Sequence, residues 1–212
     1  MSLRAVIFDY GMVLSAPPDL RARANLIAIT GLGESDFDRH YWAHRQAYDL
    51  GELNGHSYWP QLAQSAGLQF TAAQVESLIE NDVMMWTSIN EPMLAWAGQL
   101  QDAGIRTAIL SNMGAEVLRY MRQEFSWLGA FDHHTWSCEL GIAKPDPAIY
   151  TRTVESLAVA PKEALFIDDK PENVTAAQSV GLEAIVFHDV AKLEDELQER
   201  GFASQLPPLA VH

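Results

Sequence analysis

The stretch Val6-Ile7-Phe8-Asp9-Tyr10-Gly11-Met12-Val13-Leu14 combines a short apolar run with a single carboxylate. A short apolar run bounded by turn-forming residues is typical of a buried parallel strand. The run before Asp9 therefore predicts a strand that ends there, with the chain turning through Tyr10-Gly11-Met12. In an open parallel sheet, ligands bind outside the carboxyl ends of the strands. Asp9 is thus expected at a ligand-binding edge.

Working outward from this strand, runs of the same kind alternate with helical stretches. Five strands are predicted at Arg4–Phe8, Ile105–Leu110, Thr135–Ser137, Ala164–Ile167 and Ala184–Phe187. The helices of this part are predicted at Glu91–Ala103, Ala115–Phe125, Asp146–Ser156, Pro171–Val180 and Val190–Arg200. Such alternation predicts an α/β fold, a Rossmann-like parallel sheet with helices on both faces.

Residues 15–90 depart from the alternation because helix follows helix without a strand-like run. Four helices are predicted here, at Pro18–Ile29, Ser35–Leu50, His56–Ala66 and Thr71–Trp86. An insertion of this size after the first strand predicts a small all-helical cap domain over the carboxyl ends of the strands. We therefore expect a core domain of residues 1–14 and 91–212 and a cap domain of residues 15–90.

The composition narrows the possible partners. The net charge is −14, from 14 basic and 28 acidic residues, which argues against nucleic acid and anionic membranes as partners. An anionic substrate would need a local positive site. The absence of a long apolar run or a signal-like N-terminus predicts a soluble, cytoplasmic protein. The single cysteine, Cys138, excludes an internal disulfide and is interpreted as a small buried thiol. The nine C-terminal residues, SQLPPLAVH, are expected to be poorly ordered.

Polar side chains stand at or just after several predicted strands. They are Asp9, the pair Ser111-Asn112, Lys144 and the pair Asp168-Asp169. Each alone has an ordinary structural explanation, but all would converge on one edge of the sheet. Three carboxylates meeting there would repel one another unless a cation lay among them, and hard oxygen ligands suit Mg²⁺. An aspartate attacking phosphorus would form an aspartyl-phosphate and divide one hard displacement into two easier ones.

Four motifs in this order, FDYGMVL, ILSN, LGIAKPDPAIY and FIDDKPENV, resemble those of the haloacid dehalogenase (HAD) superfamily. Most members of that superfamily are Mg²⁺-dependent phosphatases. The resemblance covers essentially the whole chain, and the insertion after the first motif matches members with a helical cap. It implies a hydrolase that acts on a small phosphorylated metabolite.

The resemblance also implies roles for the metal-binding residues. Asp9 would be the nucleophile and a Mg²⁺ ligand, and Gly11 would offer its backbone carbonyl to the metal. Asp169 would be the direct ligand of the acidic pair, whereas Asp168 would act through water. Asn173 is a candidate to support this loop, with a purely helical role as the alternative.

The remaining motif residues would handle the phosphoryl group. Ser111, with Asn112 beside it, would bind that group. Lys144 would neutralise both the phosphoryl group and Asp9. The resemblance thus implies catalytic roles for Asp9, Ser111 and Lys144, and substrate binding by Ser111, Asn112 and Lys144.

One position departs from the usual pattern of the superfamily. Most of its phosphatases carry a second aspartate two residues after the nucleophile, as general acid and base, and here that position is Gly11. Positioned proton transfer contributes about 10²–10⁴ in rate.

Three alternatives therefore stay open. The first is a phosphatase with an easy leaving group, or one in which a cap residue or a bound water supplies the proton. The cap helix offers His40 and His44 on one face and Arg45 as a candidate substrate contact, with the alternative that this aromatic helix simply forms the core of the cap. The second is a metal-independent 2-haloacid dehalogenase, against which the Asp168-Asp169 pair argues. The third is a non-catalytic or very slow protein that binds a phosphorylated ligand. The oligomeric state, monomer or homodimer, is also open.

Overall fold

Five parallel strands form one sheet in the order β3-β2-β1-β4-β5 in the computed structural model, which describes residues 2–209. The strands are β1 (Ala5–Phe8), β2 (Arg106–Ser111), β3 (His133–Trp136), β4 (Ala164–Asp168) and β5 (Glu183–Val186). All neighbouring pairs are parallel. The predicted α/β fold with a Rossmann-like sheet is confirmed.

Helices cover both faces of this sheet, and the central strand is therefore buried on both sides. Val6 and Phe8 belong to one hydrophobic cluster, with Trp96 and Leu193, whereas Ile7 belongs to another cluster on the opposite face. The helices outside the inserted segment are α6 (Glu91–Asp102), α7 (Ala115–Glu124), α8 (Ser137–Leu140), α9 (Pro147–Ser156), α10 (Pro171–Ser179) and α11 (Val190–Glu199). Short 3₁₀ turns lie at Ser126–Ala130, Pro161–Glu163 and Phe202–Ser204.

The register of the strands places the polar residues that follow them at the same edge of the sheet. Phe8 pairs with Ile109 on β2 and with Ile167 on β4. The Asp9 N–H then donates to the Ile167 carbonyl at 2.9 Å. The carboxyl ends of the three central strands are therefore aligned.

The inserted segment folds into five helices around a hydrophobic cluster of its own, which includes Leu26, Trp59 and Leu78. The helices are α1 (Leu20–Thr30), α2 (Glu34–Ala43), α3 (Arg45–Asp49), α4 (Gly55–Ser65) and α5 (Ala72–Met84). The side chains of Asp19, Asn54 and Thr71 accept backbone N–H groups at the starts of α1, α4 and α5, as N-caps do. We call this segment the cap, and its division from the core at residues 15–90 stays a prediction.

The predicted single helix Ser35–Leu50 is wrong, because the chain breaks between α2 and α3. His44 has φ −114° and ψ 4°, outside helical geometry. Behind the break, Arg45 is buried and its guanidinium contacts Asp82 of α5 at 3.1 Å. The partner lies 37 residues away, so the helical pattern of the segment alone contains no sign of it.

Two smaller expectations also need correction. The third strand is His133–Trp136, and Ser137, predicted as its last residue, begins α8. The C-terminal segment is packed as far as Leu209, because Leu206 and Leu209 are buried and Trp96 Nε1 donates to the Pro207 carbonyl at 2.9 Å. Residues 210–212 of that expectation lie outside the described residues.

Two further features of the fold concern Cys138 and the lengths of the helices. The Cys138 thiol is half-buried, and burial raises its pKa to about 11, so it is a weak nucleophile at neutral pH. Between residues 2 and 209, every helix falls short of the length and apolar character needed to span a bilayer.

Candidate active site

A cavity of about 350 Å³ lies at the carboxyl ends of the strands, between the sheet and the cap. Its floor contains Asp9 after β1, Ser111 at the end of β2 and Asp169 after β4. Lys144, from the loop before α9, completes the floor. Residues from four separate parts of the sequence therefore meet in one cavity, as the strand-end pattern predicted.

Lys144 links two of the carboxylates. Its Nζ lies 2.8 Å from Asp9 Oδ1 and 2.6 Å from Asp168 Oδ2, and its side chain is 1% exposed. Each carboxylate alone can compensate the buried ammonium, whereas removal of Lys144 would leave both carboxylates without a counter-charge.

Asp168 is held by the protein on both of its oxygens. Oδ1 accepts from the Lys170 N–H at 2.8 Å and from Asn173 Nδ2 at 2.9 Å, while Oδ2 accepts from Lys144. Asn173 therefore fixes this carboxylate, which supports the first of the two roles considered for it. Asp169 makes no such set of contacts with residues 2–209, and it lines the cavity itself.

The three carboxylates have different protonation behaviour. Burial raises the pKa of Asp9 to about 7, although the Lys144 ammonium opposes this shift. Burial also raises the pKa of Asp169, with the Asp168 charge adding to it. Burial acts on Asp168 as well, but Lys144 and the hydrogen bonds outweigh it and lower the pKa of Asp168.

This donor set fits a hard divalent cation. Asp9, Asp168 and Asp169 each place an oxygen within 4.8 Å of the others. Three carboxylates and one ammonium, when ionised, carry a net charge of −2 in a largely buried site, which a divalent ion would cancel. Oxygen ligands of this kind are those that Mg²⁺ prefers.

The turn after Asp9 is open at the position of the missing acid. Gly11 has φ −60° and ψ 130°, which any residue can adopt, and a Cβ placed there would have no neighbour within 4 Å. Met12 carries the left-handed conformation of the turn, with φ 62°, and its N–H donates to Ser15 Oγ at 3.0 Å. Gly11 is therefore not required by backbone geometry.

Asn112 has a positioning role through its side chain. Its Nδ2 donates to the Lys144 carbonyl at 2.8 Å, and its Oδ1 accepts the Lys144 N–H at 2.9 Å. Both polar atoms are thus engaged with the loop that carries Lys144. Asn112 and Ser111 both line the cavity, so Asn112 can approach a phosphoryl group through its backbone or through the second N–H of its Nδ2.

The cap forms the opposite wall, and most of its residues were missed from the sequence. Trp42, Arg45, Asp49 and Trp86 line the cavity from this side. Asp49 and the two tryptophans belong to no motif, and their position depends on how the cap packs on the core. No local signal in the sequence could have identified them.

The candidates named in the cap have different outcomes. Arg45 lines the cavity, but its guanidinium is occupied by Asp49 and Asp82 at 3.1 Å each. His40 and His44 are absent from the described lining, and the break at His44 also ends the helical face they were expected to share. His40 Nδ1 instead contacts Ser65 Oγ at 2.9 Å.

Comparisons with known proteins identify the family. The family model "haloacid dehalogenase-like hydrolase" matches residues 18–181. Bifunctional epoxide hydrolase 2 of Rattus norvegicus is 32% identical over 73% of this chain, which spans only 30% of that protein. A sesquiterpene phosphatase of Aspergillus oryzae is 25% identical, covering 89% of this chain and 91% of its own. A (S)-2-haloacid dehalogenase of Pseudomonas sp. is 32% identical over 51% of this chain and 46% of its own.

Solved structures agree on the fold. A HAD family enzyme from Bacteroides thetaiotaomicron, in complex with magnesium and inorganic phosphate, superposes with a TM-score of 0.73. It is 19% identical and covers 90% of this chain and 98% of its own. Together with the cluster of Asp9, Lys144 and the acidic pair, the family match shows that this chain belongs to the haloacid dehalogenase-like hydrolases.

Proposed function

We propose that this hydrolase is a Mg²⁺-dependent phosphatase that acts on a small phosphate monoester. The observation that carries the proposal is the buried ammonium of Lys144 between Asp9 and Asp168, with Asp169 beside them. This cluster supplies a nucleophile, a place for a divalent cation and positive charge for a phosphoryl group.

The residues of the site have different roles in the proposed reaction. Asp9 attacks phosphorus as the bond to the ester oxygen breaks, which gives an aspartyl-phosphate and the free alcohol, and water then hydrolyses the aspartyl-phosphate to inorganic phosphate. Ser111 donates a hydrogen bond to a phosphoryl oxygen, and Lys144 offsets charge on that group. When bound, Mg²⁺ would neutralise charge on the phosphoryl oxygens. Asp9, Asp169 and the Gly11 carbonyl would hold it, with Asp168 acting through water.

The cavity also limits the organic part of the substrate. Its volume of about 350 Å³ is near the lower end of small-molecule sites. Apolar side chains form much of its lining away from the carboxylates: Tyr10, Met12, Trp42, Trp86, Met113 and Val117. A compact phosphate ester with an apolar or aromatic part fits this wall better than a strongly polar one.

The decisive experiment is phosphate release from p-nitrophenyl phosphate and a panel of small phosphate esters, with Mg²⁺ and with chelator. We expect release that requires Mg²⁺. Halide release from 2-chloropropionate without metal would contradict the proposal and establish the dehalogenase alternative. A panel without any turnover, combined with Mg²⁺ binding that Asp169→Asn abolishes, would also contradict it and favour a phospho-ligand binding protein.

Replacing Trp42 by Ala should weaken binding of an aryl phosphate. Trp42 lines the cavity and is 53% exposed, so its loss should hardly affect folding. An aromatic contact contributes about 0.5–1.5 kcal/mol, so we expect KM for p-nitrophenyl phosphate to rise about two- to thirteenfold with kcat nearly unchanged. Steady-state kinetics measure this change. Leu20→Ala, an exposed apolar cap residue outside the lining, is the matched control, and equal KM values in both variants would contradict the prediction.

A further inference from the structure

The proposed reaction needs a proton donor for the oxygen that leaves phosphorus, and Gly11 cannot provide one. In-line displacement places the leaving oxygen on the side of phosphorus opposite to the attacking carboxylate. Because Asp9 attacks from the floor of the cavity, the leaving group points towards the wall formed by the cap. A proton donor to the leaving oxygen therefore has to lie on that wall.

Seven titratable side chains line the described part of the cavity. Asp9, Lys144 and Asp169 belong to the phosphoryl and metal site. The Tyr10 hydroxyl already donates to the Trp86 carbonyl at 2.5 Å, and burial raises the pKa of Tyr10 above its usual range. The remaining side chains are those of Arg45, Asp49 and Lys170.

Only Asp49 among these three combines acidity with a fixed position. Arg45 keeps its proton, because nearby groups, chiefly the charge of Asp82, outweigh its burial and raise the pKa of Arg45. Lys170 belongs to the core side of the cavity and is exposed, with its Nζ 6.0 Å from the centre of the Trp42 ring. A carboxyl group is the usual proton donor where a site lacks histidine.

The structure holds Asp49 firmly against the core. Asp49 is the last residue of α3, its side chain is 16% exposed, and its Oδ1 accepts from Arg45 Nε at 3.1 Å. The Ser137 hydroxyl donates to the Asp49 carbonyl at 2.5 Å. Gly51, with φ +75°, follows at a point where a Cβ would lie 2.4 Å from the Cys138 carbonyl oxygen. This close approach fixes the end of α3 beside the cavity.

Opposing effects act on the protonation of Asp49. Burial raises the pKa of the Asp49 carboxyl group, and the negative charge of Asp82 adds to this effect. Arg45 and Lys170 act in the opposite direction. A carboxyl group with a raised pKa retains its proton for longer as the pH rises towards neutrality.

We infer that Asp49 is the proton donor and acceptor that takes the place of the acid missing at Gly11, an inference that rests on the proposed phosphatase function. As Asp9 forms its bond to phosphorus and the bond to the leaving oxygen breaks, the Asp49 proton passes to that oxygen. The Asp49 carboxylate then takes a proton from the water that attacks the aspartyl-phosphate. This second displacement releases inorganic phosphate and the Asp9 carboxylate.

The test compares Asp49→Asn on phosphate esters whose leaving groups differ in pKa. Asn retains an oxygen that can accept from Arg45, so the fold should be preserved. We expect kcat/KM for alkyl phosphates to fall by about 10²-fold or more, but that for p-nitrophenyl phosphate to change by less than about threefold. A plot of log kcat/KM against leaving-group pKa should therefore become steeper in the variant. If Asp49 had only a structural role, the substitution would lower kcat/KM by the same factor for all substrates.

Rescue by a second substitution sharpens the test. Position 11 has room for a side chain and ordinary backbone angles, so Gly11→Asp should fold. In the Asp49→Asn background, Gly11→Asp should restore at least about tenfold in kcat/KM for alkyl phosphates, because it returns a carboxyl group to the site. In the wild-type background the same change should have a smaller effect.

Controls separate this inference from the proposed function. Asp38→Asn, a cap aspartate paired with Arg23 outside the described lining, should leave all rates unchanged. The role of Asp49 would be overturned if Asp49→Asn lowered kcat/KM equally for all esters or not at all. It would also be overturned if Lys170→Gln showed the selective loss instead. The proposed phosphatase function would stand in each of these cases. If the wild-type protein releases no phosphate from any ester, the proposed function itself fails.

Discussion

Replacing Asp9 by Asn is expected to lower kcat for phosphate esters by about 10³-fold or more, because the amide cannot form the aspartyl-phosphate. Folding should be preserved. The Asn oxygen can still accept from the Tyr10 N–H and from Lys144 Nζ, which lie 2.7 and 2.8 Å from Asp9 Oδ1. Burial raises the pKa of Asp9 from 3.8 to about 7 in the folded state, so ionisation of this carboxyl group costs stability that is lost as the pH rises from about 4 to about 7 and is not regained above 7. Without metal at alkaline pH, the variant should therefore unfold at an equal or higher temperature.

Phosphate release under saturating Mg²⁺ and thermal unfolding with chelator measure these two effects. Asp189→Asn is the matched control, because Asp189 caps α11 far along the chain and does not line the cavity. Its kcat should equal that of the wild-type protein. Activity of Asp9→Asn within about tenfold of wild type would contradict a nucleophilic role for Asp9.

Replacing Lys144 by Gln is expected to damage both activity and stability. The change leaves the Asp9 and Asp168 carboxylates without the ammonium that lies within 2.8 Å of both. Breaking a buried ion pair in this way typically costs about 3–5 kcal/mol in the free energy of unfolding. The loss of one preorganised positive donor to the phosphoryl group should lower kcat by about 10²–10³-fold.

The sharper test is to measure the free energy of unfolding of Lys144→Gln with and without Mg²⁺. Because a divalent cation would compensate the same carboxylates, saturating Mg²⁺ should recover part of the lost stability in urea unfolding. Lys170→Gln is the matched control. Lys170 is exposed and makes no salt bridge among the described residues, so its loss should change the unfolding free energy by no more than about 0.5 kcal/mol. Equal stability of Lys144→Gln and wild type would contradict the central role of the ammonium.

The strands and the floor of the site could be predicted from local patterns. Runs such as Val6–Phe8 and Leu165–Ile167 are apolar throughout, because both faces of a parallel strand are buried. The first polar residue after each run then marks the edge of the sheet. For this reason Asp9, Ser111 and the pair Asp168-Asp169 could be brought together without coordinates.

The packing of the cap could not be predicted from local patterns. Its helical periodicity predicted helices correctly, but the break at His44 and the contact between Arg45 and Asp82 depend on residues far apart in the chain. The same holds for Asp49, whose position beside the cavity results from contacts of α3 with Ser137 and Cys138 of the core.

The sequence by itself determined the α/β fold, the family and the residues on the floor of the cavity, because each depends on short motifs and on the order of strands along the chain. Tertiary structure alone decided which residues form the opposite wall and that Lys144 is buried between two carboxylates. Packing of the cap on the core sets these features, and it depends on contacts between segments that no local pattern relates. Gly11, the position without its acid, can be read in the sequence, but Asp49, the residue we propose in its place, is found only in the folded chain.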